Sequence, residues 1–274
     1  MIDITRIASN LVLIEDGLWR ARTQTAISYP DEGNEVCYEV EESSFWFRHR
    51  NQCILKIVSL FPPEGAIFDI GGGNGFVASA LMKAGLDTVL VEPGPGAFNA
   101  LRRQLSLVIQ ATLQDAGFHP GSLPAASLFD VLEHIEEDQQ FLKSLAVQMR
   151  PGARLYLTVP AGMWLWSAVD EDSGHYRRYS LPVLETLLEN SGFEVEFASY
   201  FFRAMVAPIF LFRVIPTRLG WRKNQPVASL KRELASPPLA SRVVEALLGL
   251  ELSQLGKRRY RWGASCLVVA RRLS

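Results

Sequence analysis

Ligand chemistry is first legible in Phe68-Asp69-Ile70-Gly71-Gly72-Gly73-Asn74-Gly75, which follows a short apolar run and opens a helix-like stretch. Glycines let the backbone turn sharply and let a ligand approach with no Cβ in the way. The N–H groups of the following helix then face an anionic or polar group. A structural turn, or a nucleotide site of another kind, is the plain alternative. The spacing narrows the choice. It is Gly-x-Gly-x-Gly with Asp69 two positions ahead, whereas the dinucleotide fingerprint is Gly-x-Gly-x-x-Gly and would need its last glycine where Phe76 stands. Further on, Leu90-Val91-Glu92-Pro93-Gly94 sets a carboxylate just past an apolar strand. There it can accept hydrogen bonds from two ribose hydroxyls. An ordinary exposed carboxylate is the alternative for Glu92.

His134 and His175 are the candidate bases, because an imidazole exchanges a proton near neutral pH. His134 belongs to a helix start and can equally cap backbone. His175 lies in the loop after the fifth strand, on the side where such sheets bind ligands. Arg177 and Arg178 either recognise an anionic group or pair with Asp170, Glu171 or Asp172. Trp164 and Trp166 wall a pocket or pack beneath their loop. Asp130, Glu133 and His134 offer ligand types that suit a divalent metal, but Asp130 and His134 must then point one way, and the reading adopted here has no metal. Cys37, Cys53 and Cys266 show no zinc spacing, and an odd count argues against a disulfide framework.

The elements that must position these groups follow from pattern. Apolar positions at helical spacing run from Phe45-Trp46-Phe47-Arg48 through Val58 and stop at Pro62-Pro63. Strands are expected at 66–70, 88–91, 107–109, 126–129, 154–159, 193–198 and 265–270. Helices are expected at 76–84, 97–105, 135–149 and 180–190. Alternation of this kind means βαβ units and a mainly parallel sheet. Residues 1–42 have weak periodicity and a turn-like patch at Tyr29–Asn34. Residues 203–262 are far longer than a hairpin needs and read as a mostly helical insertion.

The motifs in this order resemble those of class I S-adenosylmethionine-dependent methyltransferases. Asp69–Gly75 looks like their first motif and Glu92 like their ribose-binding acid. Leu128-Phe129-Asp130-Val131-Leu132-Glu133-His134-Ile135 looks like their fourth-strand segment, and Met149-Arg150-Pro151-Gly152-Ala153 like the turn into strand five. The Phe-Trp-Phe-Arg run, Pro160–Ser167 and Gly174–Ser180 resemble a bacterial subgroup that carries only the general description "methyltransferase domain". The resemblance implies a Rossmann-like α/β fold of seven mostly parallel strands with helices on both faces, the last strand antiparallel. It implies S-adenosylmethionine as cofactor. Gly71, Gly72, Gly73 and Gly75 would pass beneath the cofactor, Asp69 would stand near the methionine ammonium, and Glu92 and Pro93 near the ribose. Thr112 and Leu113 would meet adenine, and Phe129 the sulfonium. The acidic residue usual after strand three is not clear, since Asp115 is displaced.

The expected organisation is one methyltransferase domain over 1–274, with an N-terminal helical segment 1–62, a core 63–200, the insertion at about 203–262 and a final strand 264–271. Trp46, Arg48, Trp164, Trp166, Arg177 and Arg178 are the expected substrate-side residues, with the loop 160–179 and the Phe45–Arg48 segment forming the acceptor side. The acceptor is a small molecule or a lipid-linked group. Two other functions stay open, a nicotinamide-dependent oxidoreductase and a non-catalytic S-adenosylmethionine-binding protein. With 28 basic against 29 acidic residues and a net charge of −1, nothing predicts nucleic-acid binding. No secretory signal is evident at the N-terminus, so a cytoplasmic location is expected. The apolar stretch 200–216 is broken by Arg203, Pro208 and Arg213. It is too short to span a bilayer and lies either on a membrane surface or over the core.

Overall fold

The computed structural model describes residues 2–23, 38–221 and 238–274. The Tyr29–Asn34 patch, Cys37 and the middle of the insertion lie outside them. The chain folds as a Rossmann-like α/β structure around one nine-stranded sheet. Its strands are β1 (Leu11–Glu15), β2 (Leu18–Ala21), β3 (Ile67–Ile70), β4 (Thr88–Val91), β5 (Val108–Gln110), β6 (Leu123–Phe129), β7 (Met149–Pro160), β8 (Phe193–Phe201) and β9 (Ser265–Arg272). Their order is β1-β2-β5-β4-β3-β6-β7-β9-β8. Strands β2 to β7 pair in parallel, while β9 runs antiparallel to both β7 and β8.

The sheet has two strands more than the seven expected, and the extra pair corrects the reading of residues 1–62 as helical. Leu11–Glu15 and Leu18–Ala21 form a hairpin whose second strand adds in parallel to β5. Its turn is Asp16-Gly17, with Gly17 at φ +80°, a backbone angle suited to glycine. That pair between apolar runs is a hairpin signal, and a bulge between Leu13 and Glu15 blurs the alternation around it.

Six helices of seven residues or more flank the sheet among the described residues: α1 (Phe45–Leu60), α2 (Phe76–Lys83), α3 (Gly96–Arg102), α4 (Asp138–Gln148), α5 (Leu181–Glu189) and α6 (Pro238–Gln254). Side chains alternate across each strand. Phe68 and Ile70 therefore join one core cluster with Leu142, Leu145, Leu184 and Leu188, while Ile67 joins another with Ile54, Val77 and Leu248. Within the insertion, Arg203–Met205, Val206–Ile209, Phe210–Val214 and Ile215–Arg218 are short helical segments, the third of the wide π type. Buried Glu251 ties the insertion to α1, since its Oε1 lies 3.1 Å from His49 Nε2 and its oxygens accept the Phe202 and Arg203 N–H groups at 2.8 Å. No helix among the described residues is long and apolar enough to cross a membrane.

Candidate active site

A cavity of about 790 Å³ opens beside the carboxyl ends of β3, β4, β6 and β7. That is the side on which open α/β sheets bind ligands, and the volume is that of a small-molecule site. One end is built by the glycine turn. Gly71, Gly73 and Gly75 have φ of +69°, +54° and +70°. Gly71–Gly73 and Asn74 line the cavity, while Gly75 sits below it as the residue that caps α2. A Cβ on Gly75 would lie 2.8 Å from Ala100 Cβ, so the turn is also packed closely against α3.

Glu92 closes the same end. Its Oε2 accepts the Gly73 N–H at 2.9 Å and its Oε1 the Gly94 N–H at 2.8 Å. Burial pushes its carboxyl up, and these two amides pull it back toward ionisation. An ionised carboxylate has about four lone-pair sites. Two amides leave one on each oxygen, enough for a pair of neighbouring hydroxyls. Pro93, Thr112, Leu113, Gln114 and Phe129 continue the wall. Asp115 stays out of the cavity, its N–H donating to Thr112 Oγ1 and its carbonyl accepting from Asn10. Gln114 is the polar side chain that the cavity has at that place, and sequence reasoning missed it.

Asp69 departs from its expected place. It is fully buried beneath the turn rather than in the cavity wall, where its Oδ1 accepts the Ser127 hydroxyl at 2.8 Å. A Cβ on Gly72 would come within 2.4 Å of Asp69 Oδ2, so the carboxyl supports the loop from below. Burial raises its pKa to about 7, with the Ser127 bond working against that rise.

The other end is lined by titratable side chains. His134 and His175 meet edge to face with ring centroids 4.7 Å apart, and buried Glu133 lies beside them. Burial first, then His175, lowers the His134 pKa to about 4, so its imidazole is neutral at pH 7. Burial and then Asp130 push the Glu133 carboxyl well above the usual range. Asp170 organises the loop behind them. It bonds His175 Nδ1 at 3.0 Å and accepts from Arg178 Nε at 2.6 Å and Nη2 at 3.1 Å. Burial opposes its ionisation, but His175 and Arg178 outweigh that and hold its pKa at about 2.

Trp46 and Arg178 also line the cavity; Arg48, Trp164, Trp166 and Arg177 do not. Arg48 donates to the Ser43 carbonyl at 2.5 Å. Trp164 is exposed and leans on Phe210, and Trp166 donates to Glu171 at 3.1 Å. Arg177 pairs with Asp138 at 2.8 Å. The long loop closes on itself, Gly162 N–H to Tyr179 carbonyl at 2.8 Å and Tyr179 N–H to Pro160 carbonyl at 2.9 Å. Within the closed loop Met163 and Trp164 are exposed, while Leu165 is buried in the core. Sequence reasoning also missed Arg50, one helical turn after Trp46, which pairs with Asp130. Asp130 holds φ +57°, an uncommon angle for a non-glycine residue, and its Oδ1 accepts from Thr158 at 3.0 Å. Asp130 also borders the cavity, and its charge acts on both Glu133 and His134.

The family described as a methyltransferase domain matches residues 45–197. The chain belongs to the methyltransferase domain family. Its cofactor is S-adenosylmethionine, and the nicotinamide alternative falls away. The glycine turn, the two open sites on Glu92 and the mixed apolar and amide wall at Thr112–Gln114 fit the methionine, ribose and base of that cofactor. Curated relatives include a ubiquinone biosynthesis O-methyltransferase of Xanthomonas axonopodis pv. citri, 22% identical over 53% of this chain and 70% of that one. The mitochondrial ubiquinone biosynthesis O-methyltransferase of Schizosaccharomyces pombe is 28% identical, over 34% of this chain and only 36% of that one. Among solved structures, phosphoethanolamine N-methyltransferase 2 of Haemonchus contortus, bound to S-adenosylmethionine, has a TM-score of 0.54 at 15% identity, covering 89% of this chain and 58% of its own. At that identity the likeness is one of fold.

For this methyltransferase, Glu92→Ala is expected to weaken S-adenosylmethionine binding by about 1–3 kcal/mol, the range for losing a charged hydrogen-bond partner. Calorimetry reads it, and an unchanged dissociation constant would take Glu92 out of the site.

Proposed function

We propose that the protein transfers a methyl group from S-adenosylmethionine to an oxygen of a small-molecule or lipid-linked acceptor. The observation that carries this reading is a single cavity with the glycine turn and Glu92 at one end and the Glu133, His134 and His175 side chains at the other. The cofactor, when bound, supplies a methyl group made electrophilic by its sulfonium. The chain supplies the rest. Glu92 and the glycine turn hold the donor in one orientation, and Phe129, Trp46 and Phe47 keep water from the space between the ends. His134 and His175 stand where an acceptor hydroxyl has to lose its proton. Positioning of this kind accounts for much of the rate in an in-line displacement. Oxygen is preferred as acceptor atom because the curated relatives carry O-methyltransferase names.

The insertion supports a lipid-linked acceptor. Phe212 and Trp221 are 72% and 77% exposed, with exposed Leu211 and Leu219 and the basic Arg218 on the same segment. Ile209 and Arg213, from that segment too, line the cavity. Aromatic and basic side chains presented together suit a membrane interface. Wild-type protein is expected to sediment with anionic phospholipid vesicles, and Phe212→Ala/Trp221→Ala to remain mostly in the supernatant. Equal sedimentation of the two would leave the acceptor free in solution.

The reaction itself is tested with methyl-labelled S-adenosylmethionine and a panel of hydroxylated aromatic acceptors, scoring labelled product and S-adenosylhomocysteine. On an accepted substrate, His175→Ala is expected to lower turnover at least about tenfold, a loss of roughly 1.4 kcal/mol, with cofactor affinity nearly intact. Wild-type turnover in that variant would make His175 structural. Binding of S-adenosylmethionine without product from any acceptor would favour a non-catalytic cofactor-binding protein.

A further inference from the structure

We propose that Glu133, His134 and His175 form a binding site for one divalent transition-metal ion, which holds and activates the acceptor oxygen. One ligand atom from each of the three lies within 4.8 Å of the others. Three ligand atoms bonded to one ion at about 2.0–2.2 Å lie no more than about 3.8 Å from each other, so side-chain adjustments of up to about 0.8 Å each close the site. Two imidazoles and one carboxylate suit zinc, iron(II), manganese or cobalt better than magnesium, which prefers oxygen throughout.

The surroundings of each ligand carry the case. Histidines that ligate metals donate their other ring nitrogen to a carboxylate or a backbone carbonyl, which sets the tautomer and the ring direction. Both do so here. Asp170 takes His175 Nδ1 at 3.0 Å, leaving Nε2 as the donor nitrogen. The His134 ring is hydrogen-bonded to the Gly174 backbone. Asp170 is itself held by Arg178, so the His175 ring is fixed from behind. Glu133 is 1% exposed, and its Oε2 has no hydrogen-bond partner. A buried carboxylate oxygen without a partner is costly, and a cation offsets that cost directly. All three residues border the cavity, so an ion they held would keep coordination positions open to a ligand there. Three protein ligands and an open position are the arrangement of a catalytic rather than a structural site.

The chemistry rests on the reaction proposed above, although binding of the ion does not. An acceptor hydroxyl on the ion loses its proton to solvent more readily, because the positive charge stabilises the oxyanion. One lone pair of that oxygen forms the new O–C bond. The C–S bond breaks with its electron pair passing to sulfur, which leaves neutral S-adenosylhomocysteine. No oxidant or reductant takes part.

The test is titration of chelator-treated full-length protein with Zn2+ alone by calorimetry and with Co2+ alone by visible absorption. One ion per chain is expected, with Co2+ bands typical of nitrogen and oxygen ligation. Glu133→Gln and His175→Ala should each bind at least about a hundredfold more weakly, beyond the range seen on losing an outer-shell partner. S-adenosylhomocysteine affinity within about twofold of wild type shows that each variant is folded. Where His175→Ala fails that check, His134→Gln takes its place. Absence of stoichiometric binding by wild type, or wild-type affinity in a folded variant, overturns the site. Product formation undiminished by chelation also overturns it and leaves the methyl-transfer reading standing. Ion binding without product on any acceptor sinks that reading and leaves the site standing.

Discussion

Gly73→Val is expected to abolish S-adenosylmethionine binding while the chain still folds. Gly73 stands at φ +54°, in the left-handed region. A β-branched residue held there costs about 1–3 kcal/mol, and the turn relieves that by changing its backbone path. The turn has no room to do so harmlessly. Its Gly73 N–H is bonded to Glu92 at 2.9 Å, so a shift there disturbs the carboxylate as well. Behind it, the position of a Cβ on Gly96 is only 2.6 Å from the Gly73 carbonyl oxygen, which shows how closely α3 backs the loop. A valine side chain on the cavity side takes ligand space directly. Circular dichroism and urea unfolding report the fold and calorimetry the affinity. A folded variant that binds S-adenosylmethionine as tightly as wild type would refute the assignment of this loop.

Asp170→Ala is expected to cost about 3–5 kcal/mol of stability at pH 7, the range for removing one partner of a buried ion pair. The Arg178 and Asp170 side chains are only 6% and 1% exposed. Without the carboxylate, the guanidinium is left buried and uncompensated. The start of the short helix Ala168–Asp172 also loses its cap, since Asp170 Oδ2 accepts the Ser167 N–H at 2.9 Å. The pH dependence carries a distinct signature. Asp170 has its pKa lowered to about 2, so its contribution is present above the unfolded value of about 3.9 and is lost as pH falls through 2. The gap between wild type and variant should therefore narrow on acidification below about pH 4. Urea unfolding at pH 7 and at pH 3 measures it, and a difference below about 1 kcal/mol at pH 7 would contradict the network described.

The same loop shows where local reading stops. In the sequence, Arg178 reads either as an anion receptor or as a partner for Asp170, Glu171 or Asp172, and residue type favours neither. Both describe part of it, because the guanidinium is paired with Asp170 and also borders the cavity. Trp164 and Trp166 read as pocket walls because large aromatic residues in a long loop commonly are. Their direction depends on the backbone ladder between Pro160–Gly162 and Tyr179, which joins residues far apart in the chain. Arg50 had no local mark as a site residue beyond its place one turn after Trp46. Its role comes from Asp130, eighty positions away.

What the sequence by itself determined is the βαβ alternation, the glycine turn, Glu92 and the family. These are legible because each depends on neighbours a few positions away: strand periodicity, the backbone angles only glycine adopts freely, and a carboxylate at a strand end. The strands from β3 to β7 appear close to their expected places for the same reason. The tertiary structure decided the rest. It drew the N-terminal hairpin onto β5, because an exposed sheet edge is satisfied by any strand that reaches it. It sank Asp69 beneath the turn, engaged Asp130 with Arg50 and brought His175 to Glu133 and His134. Those outcomes depend on burial and on side-chain direction across the sheet. Neither is a property of any short stretch of chain.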